Sequence, residues 1–188
     1  SFEGVLKPDT RLLPENAYGK AKMLASNSTK ERCYQNGIKH IWCRVLSIYG
    51  PYDGEKSMII SSLRQMIKGE KASFTKGEQD WDYLYSGDAG RAFRLLGENG
   101  VDGKIYVIGS GKTEKLSEYI DAMTERVKYM TNRKPIISMG TIPYSDRQVM
   151  HLCADISELT KDTGFIPLGD FEEGIEKTIE YVLDTMEK

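Results

Sequence analysis

Two side chains near the start of the sequence have the types and spacing of a proton-transfer pair. In "PENAYGKAKMLAS", residues 14–26, Tyr18 and Lys22 stand four residues apart among good helix formers, so both project from one face of a helix. A phenol ordinarily keeps its proton to about pH 10. An ammonium one turn away and the positive end of a helix both stabilise the phenolate, which makes the oxygen a usable acid or base near neutrality. Spacing alone is a weak signal, because Tyr52 and Lys56 have the same interval. That second pair follows Gly50-Pro51 and encloses Gly54, a loop composition without fixed geometry. Only the first pair can be rigid, and its competing reading is a solvated helix face with one aromatic and several lysines.

Other stretches carry less. "VIGSGKTEK", residues 107–115, resembles a phosphate loop after a strand, but a Walker loop requires Gly where Tyr106 stands and a dinucleotide fingerprint requires Gly where Glu114 stands. A glycine turn from strand to helix is the better reading. Trp81, Tyr83 and Tyr85 alternate in "GEQDWDYLYSGDAGRAF", so one strand face either lines a flat ligand such as a nucleoside base or is packed. Cys33, Cys43 and Cys153 show no Cys-x-x-Cys spacing, which points to reduced thiols and a cytoplasmic setting. With two histidines in the chain, no metal site is expected.

The elements that must hold these residues alternate. Helical spacing runs over residues 16–35, with Asn16 as N-cap and Gly37 as the stop. "IKHIWCRVLSIYGP", residues 38–51, reads as one strand buried on both faces. A helix over 56–68, strands near 72–75 and 82–85 and a helix over 87–99 follow, then a strand over 104–111, an amphipathic helix over 113–131 and a strand over 134–140. Helices at 156–162 and 171–187 close the chain. This order predicts α/β architecture with parallel strands, in a single unit over 1–188 without repeat or linker.

Composition removes several function classes. The net charge of −2 comes from scattered residues, which leaves no electrostatic footprint for nucleic acid. No apolar run reaches the ~20 residues that span a membrane. The chain starts at Ser1-Phe2-Glu3-Gly4 with neither an initiator Met nor the order of a leader peptide, and reads as a cut edge.

Taken in order, "PENAYGKAK", "CRVLSIYGP", "GEQDWDYLYSGDAGRA", "KIYVIGSGKTEKLSEYI" and "ADISELTKDTGFIP…FEEGIEKTIEY" resemble the C-terminal part of the extended short-chain dehydrogenase/reductases, the NAD-dependent epimerase/dehydratases of nucleotide sugars. The resemblance covers almost the whole chain. It implies the C-terminal portion of a doubly wound Rossmann-type sheet, with residues 1–55 ending that domain, residues 56–188 forming most of an interleaved substrate-binding lobe, and the Gly-rich first half missing. It implies NAD or NADP as cofactor, a nucleoside-diphosphate sugar as substrate, and a homodimer as an open arrangement.

Residue by residue, the resemblance makes Tyr18 the acid/base on a sugar hydroxyl and Lys22 its partner, which also holds the nicotinamide ribose. Ser1 is the nearest match to the family's catalytic Ser/Thr, and Leu46 falls at a cofactor-contacting position. Ser47 stands where the family commonly has Asn, and Trp81 where it usually has a phosphate-gripping Arg, a charge that Arg147 would supply instead. Ser57, Met58 and Phe74 fall where relatives contact the nucleotide. Dehydratases place Asp-Glu directly after the catalytic Thr, whereas Ser1 is followed by Phe2-Glu3, so 4-epimerisation is the expected reaction. The alternatives are an NADPH-dependent 4-keto reductase, a dehydratase and a non-catalytic binding relative. With no pyrophosphate loop, residues 1–188 alone are expected to be inactive.

Overall fold

The computed structural model describes residues 2–11 and 13–186. In chain order the elements are β1 (Gly4–Leu6), α1 (Ala17–Gln35), β2 (Trp42–Val45), β3 (Ser47–Tyr49), α2 (Met58–Lys68), β4 (Lys71–Ser73), β5 (Asp80–Trp81), β6 (Tyr83–Tyr85) and α3 (Ser86–Asn99). They continue with β7 (Ile105–Ile108), β8 (Glu114–Lys115), α4 (Leu116–Thr131), β9 (Ile136–Ser138), β10 (His151–Ala154), α5 (Ser157–Thr163) and α6 (Phe171–Met186). β10 pairs in parallel with β1 and β5, and β5 pairs antiparallel with β8. The pairs β2–β7, β3–β6 and β4–β9 are also parallel, as alternating strands and helices require.

The long apolar stretch at 38–51 is not one strand buried on both faces. Trp42–Val45 pairs with β7, and Ser47–Tyr49 pairs with β6. The change of partner falls at Leu46, whose N–H still donates to the Ile108 carbonyl at 2.9 Å. Val45 is exposed, and within these two strands only Tyr49 is buried. A run of β-branched and apolar residues signals a strand but not which neighbour it joins.

Packing is concentrated away from the first helix. The largest cluster joins Ile60, Leu63 and Met66 of α2, Ile120, Met123 and Val127 of α4, and Ile175, Ile179 and Val182 of α6. Each such side chain contributes about 1.5–3 kcal/mol on burial. A second cluster sets Ala92 and Leu96 of α3 and Leu159 of α5 against Leu84, Tyr106 and Ile108, and a third gathers Leu6, Val107 and Ala154 with Phe2 and Leu46 against it. Gly174 lies where a Cβ would overlap the Tyr49 hydroxyl, so glycine is what lets α6 approach β3. No helix among the described residues is long and apolar enough to cross a membrane.

Candidate active site

α1 is shaped by local signals. Asn16 caps it, its side chain accepting from the Gly19 N–H at 2.7 Å, and the Asn36 N–H closes it on the Cys33 and Tyr34 carbonyls. This geometry brings Tyr18 and Lys22 together: the Lys22 ammonium lies 5.5 Å from the centre of the Tyr18 ring, within cation–π range. Tyr18 is 72% exposed, and no carboxylate among the described residues is within ion-pair distance of Lys22. Both polar ends are therefore open to a ligand. Tyr52, by contrast, sits in a loop with φ at +67° and rests against Tyr181, so the second Tyr/Lys pair has no helix to align it.

The structure also joins two residues that stand apart in the sequence. The Trp81 indole N–H donates to the Ser47 hydroxyl oxygen at 2.7 Å, and the Trp81 carbonyl accepts from the Tyr119 hydroxyl at 3.0 Å. Ser47 lies just past the β2–β7 pair, where the chain swings from β7 to β6. Crevices at such divergence points, beyond the carboxyl ends of parallel strands, are where open α/β sheets bind ligands. Leu46 is at the same point, half-buried beside the third cluster.

The other expected contacts are more scattered. Ser57 is the N-cap of α2, accepting from the Ile60 N–H at 3.3 Å. Met58 opens that helix and packs against the largest cluster. Phe74 is only 4% exposed and belongs to that cluster. Arg147 forms a 2.8 Å ion pair with Glu15, at the entrance to α1, and its side chain is 78% exposed. Ser1 lies outside the described residues.

One residue of consequence, Asp82, was not marked by its chemistry. It is 1% exposed, and its carboxylate accepts from the Ser110 N–H at 2.7 Å, the Ser110 hydroxyl at 2.8 Å, the Gly111 N–H at 3.1 Å and the Ala154 N–H at 2.9 Å. The glycine turn after β7 thus has the donors of an anion-binding nest, but an internal carboxylate already fills them. That is why a loop resembling a phosphate site is a turn. The sequence did hold a signal: an aspartate between Trp81 and Tyr83 in a strand is disfavoured and needs partners when buried.

Elsewhere, Lys104 pairs with Glu158 at 2.7 Å and Asp162 at 2.6 Å. Hydrogen bonds from Lys104 and Tyr106 hold the Asp162 carboxyl below the usual carboxylate range. The cysteines are unpaired, and burial pushes the Cys43 and Cys153 thiols up to about 11. Among the described residues no group of three or more His, Cys, Asp or Glu could hold a metal ion.

The chain is 27% identical to dTDP-glucose 4,6-dehydratase of Salmonella typhimurium over 93% of its own length and 49% of that enzyme's. It spans about half the length of the curated relatives it matches. The fold matches RMD from Pseudomonas aeruginosa complexed with NADPH, with a TM-score of 0.84 at 17% identity over 96% of this chain and 60% of that one. It also matches UDP-glucuronic acid 4-epimerase from Bacillus cereus in complex with UDP-glucuronic acid and NAD, with a TM-score of 0.82 at 17% identity over 98% of this chain and 58% of that one. The model of the NAD dependent epimerase/dehydratase family matches residues 5–109, more than half of the chain, and the chain belongs to that family.

Proposed function

We propose that the protein carrying this chain is an NAD(P)-dependent nucleotide-sugar epimerase in which Tyr18 is the acid/base. The observation that carries the reading is the Lys22 ammonium over the Tyr18 ring on a capped helix, with both side chains open to solvent. The Tyr18 oxygen takes a proton from a sugar hydroxyl as the carbon is oxidised and returns it as the hydroxyl re-forms. Lys22 stabilises the phenolate that starts this cycle and is regenerated at its end, Tyr18 holding the proton as the neutral phenol in between. Ser47 at the strand divergence and Arg147 at the rim hold the sugar nucleotide.

The described residues suit one end of the cofactor. Tyr18 and Lys22 offer a hydroxyl and an ammonium to a nicotinamide ribose, while the turn at Ser110-Gly111 has its donors taken by Asp82 and is unavailable to a pyrophosphate. The bound nicotinamide would supply hydride transfer. Residues 1–188 by themselves are therefore expected to turn over no sugar nucleotide with added NAD, and turnover would overturn that expectation.

Dehydration is the second reading, favoured by the 4,6-dehydratases among the relatives. Against it, Phe2 stands where dehydratases place their acid and packs against the Leu6–Val107–Ala154 cluster, so no carboxyl is offered to the leaving hydroxyl there. The test is to incubate the full-length gene product with NAD and UDP-glucuronic acid or dTDP-glucose and follow the sugar by NMR. A 4-epimer is expected; a 4-keto-6-deoxy product would establish dehydration, and net NADPH consumption a reductase. Tyr18→Phe is expected to lower kcat about 10²–10⁴-fold without moving the unfolding midpoint, and an unchanged kcat would point to a non-catalytic role for this helix.

A further inference from the structure

We propose that Trp81 is a positioning residue that acts through Ser47, turning the serine hydroxyl into an outward donor for an oxygen of the sugar nucleotide. The proposal rests on the reading of Ser47 as a substrate contact.

An indole nitrogen can only donate, so in the 2.7 Å contact between Trp81 Nε1 and Ser47 Oγ the serine oxygen must accept. The serine proton then has to point elsewhere, and no acceptor for it lies within hydrogen-bond distance among the described residues. Ser47 is half-buried at the strand divergence, so this remaining donor is within reach of a ligand bound there. Trp81 is itself fixed. Its backbone pairs with β10 and β8, and its carbonyl is tied to Tyr119 of α4. A serine alone has three rotamers and can donate or accept; the indole selects an orientation and a role. The ligand atom that complements this pair is an acceptor oxygen, with no fixed cation at either position.

Two measurements test this. In the free protein, Ser47→Ala is expected to shift the Trp81 indole ¹H–¹⁵N resonance and speed its exchange about tenfold, leaving the Trp42 indole signal unchanged. An unchanged Trp81 signal would overturn the bond without asking any variant at Trp81 to fold. In calorimetric titration with UDP-glucuronic acid, Ser47→Ala and Trp81→Phe are each expected to weaken binding about tenfold, and the double variant no more than Ser47→Ala alone. Equal affinity of Trp81→Phe and the unsubstituted chain would overturn the proposal. So would a further loss from Trp81→Phe in the Ser47→Ala background, since the indole would then act by its own contact. If the unsubstituted chain binds neither UDP-glucuronic acid nor UDP, the nucleotide-sugar reading falls and takes the proposal with it. That failure is distinct from the first, in which the chain binds and the indole is irrelevant.

Discussion

α1 and α6 are helices of 19 and 16 residues, and they are held in opposite ways. α6 buries Gly174, Ile175, Thr178, Ile179 and Val182 against α2 and α4. α1 buries none of its residues, and Tyr18, Met23, Leu24 and Tyr34 are all exposed. Its fixed points are the Asn16 cap, the Thr29–His40 hydrogen bond at 3.0 Å and the Glu15–Arg147 ion pair. Most helical stability in proteins comes from packing an apolar face against the rest of the fold, and α1 buries no such face. The contrast separates two tasks: local signals bring Tyr18 and Lys22 into one geometry, while tertiary packing stabilises the lobe that carries Trp81 and Asp82.

Five substitutions would break or sharpen that contrast. The largest effect is expected from Asp82→Ala, which leaves four donors, one of them on buried Ala154 and the others on the part-buried turn at Ser110-Gly111, without their acceptor. It should cost on the order of 4 kcal/mol, read as a lower urea midpoint, and a loss below about 1 kcal/mol would show that the loop re-pairs its donors. Next, Ile179→Ala in α6 should cost about 2–5 kcal/mol, whereas Leu24→Ala in α1 should stay within about 0.5 kcal/mol. Comparable losses at the two sites would mean that α1 is packed after all. Gly174→Ala drives a methyl into Tyr49 and should cost about 1–3 kcal/mol by thermal unfolding.

The smallest effect is a pH dependence at Asp162. Its carboxyl titrates lower in the folded chain than in the unfolded one, so its contribution is present above the ordinary carboxylate range near about pH 4 and is lost as pH falls through the folded value. Asp162→Asn should therefore have a lower urea midpoint than the unsubstituted chain at pH 7, with the gap narrowing progressively as pH falls below the ordinary carboxylate range near about pH 4. A gap independent of pH would assign the effect to packing.

Much of the architecture was legible because helices are long enough to show periodicity. Leu116, Tyr119, Ile120, Met123 and Val127 mark α4 from sequence, and the last four of them are its buried face. Strands of two to four residues have no period to read. β1 and β10 went unseen for that reason, although β10 joins β1 to β5. The break at Leu46 was hidden because partner choice depends on residues far along the chain, Ile105–Ile108 for one strand and Tyr83–Tyr85 for the other. At the site, the Tyr18/Lys22 pair is visible because four residues make one helical step, whereas the Ser47–Trp81 bond spans 34 positions and no local pattern encodes it. Phe74 shows the converse limit: an aromatic suited to a ligand surface by type is buried in the core.

The carboxylate of Asp82 in the turn after β7 also bears on how the fold responds to small anions. A protein is stabilised by whatever binds its native state and not its unfolded chain. Here that occupant is covalently part of the chain and present at a fixed effective concentration. The turn should consequently be formed to the same degree with or without phosphate, sulfate or pyrophosphate in solution. Any stabilisation of this chain by a nucleotide sugar would then report on the strand divergence at Ser47 and the helix bearing Tyr18, and not on that loop.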